Sequence, residues 1–243
     1  MLAIEKQDLQ HEQQTALIIC NGDPPPEELL QQLWQKADYR VAADGGANHL
    51  LSQQLLPDAV VGDFDSLQPE VRKKLADSTL FLLKEQETND ADKAVRHCLK
   101  RGYKVINILG ADGGRLDQFL ASLEILFKYS PEARLILWSP LERMEFIQNT
   151  WEENLKPGTT LSLLPLFGGA QGVITQGLEF PLNNKDLLPG KTPSGVSNLV
   201  VSNPVTVTLN EGQLLLIIQH ADKYSTDFEL NQSKNYCQSQ NTQ

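Results

Sequence analysis

No apolar run in this 243-residue chain approaches the roughly 20 residues that a membrane-spanning helix needs. The first fourteen residues are polar and lack the apolar centre of a secretory leader. Cysteine is scarce: Cys20, Cys98 and Cys237 form an odd, widely spaced set, which points to reduced thiols and a cytoplasmic setting rather than a disulfide framework. No Cys/His pair has the spacing of a structural zinc site. There is no basic stripe, and a net charge of −10 argues against a nucleic-acid partner. A Walker A pattern is missing, and no G-x-G-x-x-G follows the first apolar run. His11, His49, His97 and His220 lie scattered, without partners at triad or ligand spacing. What remains is ordinary soluble composition, 40% hydrophobic and 21% charged, enough for one large domain or two modest ones.

Two patterns divide the chain. Up to about residue 140, short β-like runs alternate with helical stretches. Strands are expected at Thr15–Cys20, Arg40–Ala43, Asp58–Val61, Leu80–Leu83, Tyr103–Leu109 and Arg134–Trp138, and helices at Glu27–Ala37, Pro69–Ala76, Asp90–Lys100 and Leu116–Lys128. Such alternation predicts a mostly parallel sheet covered on both faces, an α/β/α domain over residues 15–140. Beyond Pro140 the helical period disappears. Short alternating runs at Met144–Gln148, Thr160–Pro165, Gly172–Thr175, Val205–Leu209 and Leu214–Gln219 predict an all-β sandwich over residues 141–220. Residues 221–243, rich in Gln, Asn and Ser, read as a loose polar tail.

Aspartates cluster where apolar runs end. Open α/β sheets build ligand sites just past their strands, with glycine permitting close backbone approach. Asp44 follows such a run and precedes Gly45 and Gly46; taken alone it could be a turn aspartate with glycines supplying positive φ. Asp63 and Asp65, straight after Ala59–Gly62, could converge on one cation if the chain turns; Asp65 or Ser66 could instead cap the helix that begins near Pro69, and both can hold at once. Several carboxylates gathered at one edge repel each other unless a cation joins them, and oxygen-liganded Mg²⁺ bound also to substrate phosphates is the usual solution. The acidic stretch Glu85–Lys93 opens a helix, where carboxylates complement the macrodipole. Gly113, Gly114 and Arg115 before a helix offer backbone N–H groups and a guanidinium to a phosphate; the plainer reading is a helix-entry turn with an exposed arginine.

Five segments in order carry a resemblance: Ala43–Asn48 (ADGGAN), Gly62–Leu67 (GDFDSL), Gln86–Lys93 (QETNDADK), Gly113–Gln118 (GGRLDQ) and Val196–Leu199 (VSNL). Together they resemble the thiamin pyrophosphokinases, over roughly Thr15–Gln219. Two positions depart from the family's pattern: Asn89 stands where it commonly has threonine before Asp90, and Val196 where it commonly has threonine before Ser197 and Asn198.

The resemblance implies an α/β nucleotide-binding domain followed by a β-sandwich, and transfer of a diphosphate group from ATP to the hydroxyethyl oxygen of thiamin, leaving AMP. It implies Asp63, Asp65 and Asp90 as Mg²⁺ ligands, with Asp44 supporting them. Asp44, Gly45, Gly46, Asn89, Gly114 and Arg115 would serve the nucleotide. Asp90 or Asp117 would take the substrate proton and Gln86 would orient the reactants. Phe180, Ser197 and Asn198 would hold thiamin, a cationic heterocycle that suits an aromatic face. It also implies a homodimer in which the partner's β domain completes each thiamin site. Two rival readings are a haloacid-dehalogenase-like phosphatase using Asp63 and Asp65, and a non-catalytic nucleotide- or thiamin-binding protein.

Overall fold

The computed structural model describes residues 14–191 and 195–220, so the expected tail over 221–243, the leading polar segment and Cys237 lie outside the described residues. The first half alternates β1 (Thr15–Ile19), α1 (Glu27–Lys36), β2 (Tyr39–Ala43), α2 (Gly46–Ser52), β3 (Ala59–Gly62), α3 (Pro69–Arg72), β4 (Leu80–Leu82), α4 (Asp90–Lys100), β5 (Val105–Leu109), α5 (Leu116–Tyr129) and β6 (Arg134–Trp138). The second half is β7 (Glu142–Ile147), β8 (Thr150–Glu153), β9 (Thr160–Leu164), β10 (Ala170–Gln176), β11 (Lys185–Leu187), β12 (Asn198–Leu199), β13 (Val205–Thr208), β14 (Glu211–Gly212) and β15 (Leu214–Gln219).

Strands β1 to β6 pair in parallel in the order β6-β5-β1-β2-β3-β4. Because parallel strands need crossovers, helices cover both faces. Alternate residues of β1 show the division: Ala16 and Ile18 pack in the cluster holding Val95, Cys98, Leu123 and Leu126 of α4 and α5. Leu17 and Ile19 face the cluster with Leu30, Leu33 and Leu50 of α1 and α2. Both faces are apolar, so these strands read as continuous hydrophobic runs.

β6 then pairs antiparallel with β7, at Leu137↔Met144 and Trp138↔Arg143, and the sheet continues through β15 and β9 to β12. One ten-stranded sheet therefore runs through both halves, in the order β12-β9-β15-β7-β6-β5-β1-β2-β3-β4. A second sheet, β11-β10-β13-β8 with β14 beside β10, faces its antiparallel end. Between the two layers lie Trp151, Leu161, Val173, Val205, Val207 and Leu216, which is the predicted sandwich core.

Candidate active site

The order of the parallel strands reverses at β1, which is flanked by β2 and β5. At such a switch point the loops leaving neighbouring strands diverge and open a crevice at the carboxyl ends. Here the crevice is a cleft of about 460 Å³. Asn21 and Asp23 reach it from the end of β1, Asp44 from β2, Asp90 from the start of α4, and Gly114 and Arg115 from the loop after β5.

Asp44 is the pivot. It is 1% exposed, and its backbone sits at φ 41, a left-handed conformation uncommon for a residue with a side chain. The expected positive φ thus falls on the aspartate and not on its glycines; Gly45 and Gly46 are needed for space instead. A Cβ on Gly46 would stand 2.0 Å from the carbonyl oxygen of Ile19, and one on Gly45 would strike the Asn21 side chain. Asp44 Oδ2 accepts from the Ser66 amide at 3.2 Å, whereas its buried Oδ1 has no hydrogen-bond partner. Burial pushes this carboxyl up to about 6, and the nearby Asp90 and Asp65 carboxylates add to the rise.

The turn after β3 brings two more carboxylates to the same place. One ligand oxygen from each of Asp44, Asp63 and Asp65 lies within 4.8 Å of the others. The expected alternative, a helix cap, is not used: α3 begins after Gln68 with no side-chain cap hydrogen bond. The turn is held by α2, where Asn48 donates to the Ser66 carbonyl at 3.0 Å and accepts from the Gln68 amide at 3.1 Å. Gly62 lets the chains close up, since a Cβ there would meet Asp44 Cβ at 2.8 Å and Asp90 Oδ1 at 3.2 Å.

Asp90 stands beside this trio with a partner of its own. Lys93, 3% exposed at the side chain, donates to Asp90 Oδ1 at 2.9 Å. Its neighbour Asn89 caps α4, accepting from the Asp92 amide at 2.9 Å, as a threonine hydroxyl can. Gln86 donates to Asp63 Oδ2 at 2.9 Å, and that hydrogen bond is the main reason the Asp63 carboxyl lies below its ordinary range.

Across the cleft, Gly113 and Gly114 take φ of 79 and 62, turning the chain into the N-terminus of α5. Arg115 and Asp117 there form a two-pronged, solvent-exposed pair: Nε to Oδ1 at 3.1 Å and Nη2 to Oδ2 at 2.6 Å. The guanidinium lowers the Asp117 pKa. Phe180, Ser197 and Asn198 gather elsewhere, on the antiparallel side. Asn198 donates to the Phe180 carbonyl at 2.8 Å and accepts from its amide at 3.0 Å, while Phe180 as a residue is 65% exposed. Ser197, at φ 60, donates its amide to Ser162 Oγ at 3.0 Å.

Residues 30–137 match the family model described as "Thiamin pyrophosphokinase, catalytic domain", and residues 149–214 match "Thiamin pyrophosphokinase, vitamin B1 binding domain". The chain belongs to the thiamin pyrophosphokinase family. Thiamine pyrophosphokinase 1 of Arabidopsis thaliana is 28% identical over 221 residues, covering 79% of this chain and 81% of the relative. The Bacillus subtilis thiamine pyrophosphokinase is 26% identical over 217 residues, covering 84% and 97%. In three dimensions the fold matches the crystal structure of thiamine pyrophosphokinase from Bacillus subtilis with a TM-score of 0.75 at 24% identity, covering 86% of this chain and 100% of that one. The thiamin pyrophosphokinase from Candida albicans gives 0.74 at 21% identity, covering 86% and 90%. Membership in a thiamin pyrophosphokinase family, with both halves matched, makes this chain an ATP:thiamin diphosphotransferase and leaves the phosphatase and non-catalytic readings unsupported.

Several site residues escaped the reading of the sequence. Asn21 and Asp23 follow β1 as Asp44 follows β2, so the strand-end rule would have found them. Lys93 closes the segment Gln86–Lys93 but was given no role of its own, because a lysine in a helix's first turns is normally solvated.

Proposed function

We propose that Asp44, Asp63 and Asp65 hold the Mg²⁺ of the diphosphate transfer, with Asp90 beside them, and that Arg115 and the N-terminus of α5 receive the triphosphate. The observation that carries this reading is the orphaned Oδ1 of Asp44, buried next to two further carboxylates. A buried, unpartnered carboxylate oxygen is costly, and an oxygen-seeking cation relieves both its desolvation and the repulsion of its neighbours. The donor set, all carboxylate oxygen, suits a hard divalent ion. Mg²⁺ would supply charge to draw out electron density from the phosphates.

The reaction forms a bond from the thiamin hydroxyethyl oxygen to the β-phosphorus and breaks the bridge between the α- and β-phosphorus atoms, releasing AMP. The hydroxyl proton must leave. Asp90 and Asp117 are the candidates to take it. Asp117 is held ionised by Arg115, and phosphate competing for the same guanidinium fork would release the carboxylate. Arg115 thus binds nucleotide and frees a base in one movement. Gln86 keeps Asp63 oriented. Asn89 places the first turn of α4, and Gly114 lets backbone approach the nucleotide, whereas Gly45 and Gly46 lie behind the cleft against Asn21 and Ile19.

Thiamin is assigned to Phe180, with Ser197 and Asn198 shaping the loop beneath it. In the order β12-β9-β15-β7-β6-β5-β1-β2, β12 is five strand steps from β5, whose loop carries Arg115, and seven from β2, roughly 24 to 34 Å along the sheet at about 4.8 Å per step. One chain's phosphate cleft and thiamin loop are therefore too distant for a single reaction, which supports a homodimer whose sites are shared between copies. The unpaired thiols of the buried Cys20 and Cys98 support a cytoplasmic setting. No helix among the described residues is long and apolar enough to cross a membrane.

The test is AMP formation by purified protein with ATP and Mg²⁺, with and without thiamin. Thiamin-dependent AMP is expected, and Asp65→Asn should remove most of it without unfolding the protein. Near-normal turnover of that variant at saturating Mg²⁺ would overturn the metal assignment. Mixing Asp65→Asn with Phe180→Ala protein should restore activity, because one of the two sites in each heterodimer carries neither lesion; no recovery after verified subunit exchange would refute the shared site.

A further inference from the structure

Gln86 reaches Asp63 from a stretch of chain that has little backbone support. Among the described residues, the backbone is tied to the sheet at Leu83, whose amide donates to the Gly62 carbonyl at 2.8 Å, and then to α4 at Asn89, whose carbonyl accepts from the Lys93 amide at 3.1 Å. Between these points it forms no strand or helix. Gln86 itself is exposed. An exposed amide–carboxylate hydrogen bond contributes too little to order such a segment against its conformational entropy. Something else must hold it.

The fastening is a side chain from α4. Arg96 Nη2 donates to Glu85 Oε1 and, at 2.9 Å, to Thr88 Oγ1. Thr88 Oγ1 in turn donates to Glu85 Oε1 at 3.1 Å, closing a small ring across the segment. The residues gripped flank Gln86 on either side. Arg96 is itself fixed from behind. Its Nε lies 2.9 Å from Asp92 Oδ2, an ion pair bent away from hydrogen-bonding geometry. Asp92 is 4% exposed, and its Oδ1 accepts from Lys128 Nζ at 2.9 Å and from the Tyr129 hydroxyl at 3.1 Å, both on α5. A buried carboxylate with that many donors is a rigid post.

We propose that Arg96 is a positioning residue for the diphosphate transfer: braced by Asp92, it clamps the segment 85–88 so that Gln86 stays on Asp63. Arg96 does not touch the carboxylate trio; it acts through Gln86. The guanidinium presents Nη2 to the loop while Nε faces Asp92, two fixed directions that the single ammonium group of a lysine cannot span. This inference rests on the diphosphotransferase reading for its catalytic consequence, but the clamp itself can be measured without substrate.

The experiment has two arms. In the first, backbone amide order parameters are measured in the substrate-free protein for wild type, Arg96→Met and Glu85→Ala. The second variant releases the clamp from the loop side and leaves α4 untouched. Lower order parameters confined to residues 84–89, with α4 and α5 unchanged, are expected in both. Unchanged order parameters there in the folded Glu85→Ala protein would overturn the clamp. In the second arm, Arg96→Met, Gln86→Ala and the double variant are compared by kcat. Misplacing a reactive group can cost about 10- to 100-fold. Both single variants should lose activity on that scale, and the double variant should be no worse than Gln86→Ala alone. Losses that multiply would show that Arg96 does not act through Gln86. Arg96→Lys should recover little. A wild-type protein without thiamin-dependent AMP formation would sink the functional reading, while the first arm would still decide the clamp.

Discussion

Asn198 grips the peptide of Phe180 at both ends, giving a proton to its carbonyl and taking one from its amide. The side chain is thereby spent on backbone and imitates one rung of a β-ladder. The exposed ring beside it is presented for contact with something outside the fold. Phe180→Ala should weaken thiamin binding by about 1 kcal/mol or more, the loss of an aromatic contact to a cation, while nucleotide affinity barely changes. Asn198→Ala should produce a similar thiamin defect by freeing the loop. Titration calorimetry with each ligand separates the two; equal losses for ATP and thiamin would contradict the assignment.

Asp44 gives a prediction with a defined sign. Its carboxyl is raised from 3.8 to about 6 in the folded protein. A raised carboxyl contributes stability that is fully present below pH 3.8 and is lost as pH rises through 6, because the buried group must then ionise. Asp44→Asn keeps an acceptor for the Ser66 amide and removes that ionisation. The variant should be more stable than wild type by about 2–3 kcal/mol at pH 7 in metal-free buffer, with the difference vanishing near pH 4. Its thiamin-dependent activity should fall by roughly 100-fold or more. Chemical denaturation across pH checks the first outcome and the AMP assay the second.

His97 works in the opposite direction. Its Nε2 accepts from Arg101 Nε at 3.0 Å and lies 2.9 Å from the Tyr39 hydroxyl, so the ring is neutral with its proton on Nδ1. Burial, with the charges of Arg101 and Lys100, depresses its pKa from 6.5 to about 4. A depressed histidine contributes stability present above 6.5 and lost as pH falls towards 4. His97→Gln should flatten the loss of unfolding free energy over that window, by an amount on the order of 1–3 kcal/mol at the acid end. An unchanged pH profile would show that other groups dominate acid lability.

Arg115 and Asp117 separate by kinetics. Arg115→Lys keeps the charge but loses the fork, and should raise KM for ATP by about tenfold with little change in melting temperature. Asp117→Asn should instead lower kcat by about 100-fold or more if the carboxylate takes the proton. Retention of kcat in the second variant would transfer that role to Asp90.

Much of this was legible in the residues because it is local. The parallel half alternates apolar runs with amphipathic stretches, and its strands and helices fall within a few residues of the expected limits. The helix α2 was not expected, because Gly45 and Gly46 look like a turn; they are there because Ile19 and Asn21 press against the backbone. β8 was likewise missed, since four residues around Trp151 carry no clear alternation until Val205–Thr208 pairs with them. The carboxylates of Asp63 and Asp65 could be singled out by position after a strand. That Asp44 joins them while Asp90 is engaged by Lys93 depends on the turn after β3, which the sequence pattern does not describe.

The rung between β6 and β7 has a consequence for anyone dividing the protein. Only Leu137↔Met144 and Trp138↔Arg143 join the parallel and antiparallel halves of the sheet at that seam. A cut near residue 140 would strip β6 and β7 of each other and leave a raw margin of unpaired peptide groups on both pieces, with β6 carrying Leu135, Ile136 and Leu137, all buried in the intact chain. Open apolar edges of that kind seek new strands. The fragment 15–140 expressed alone should therefore self-associate, visible as a concentration-dependent mass in light scattering, where the whole chain gives one defined species. Recombination with its missing half, and not dilution, should be what restores order.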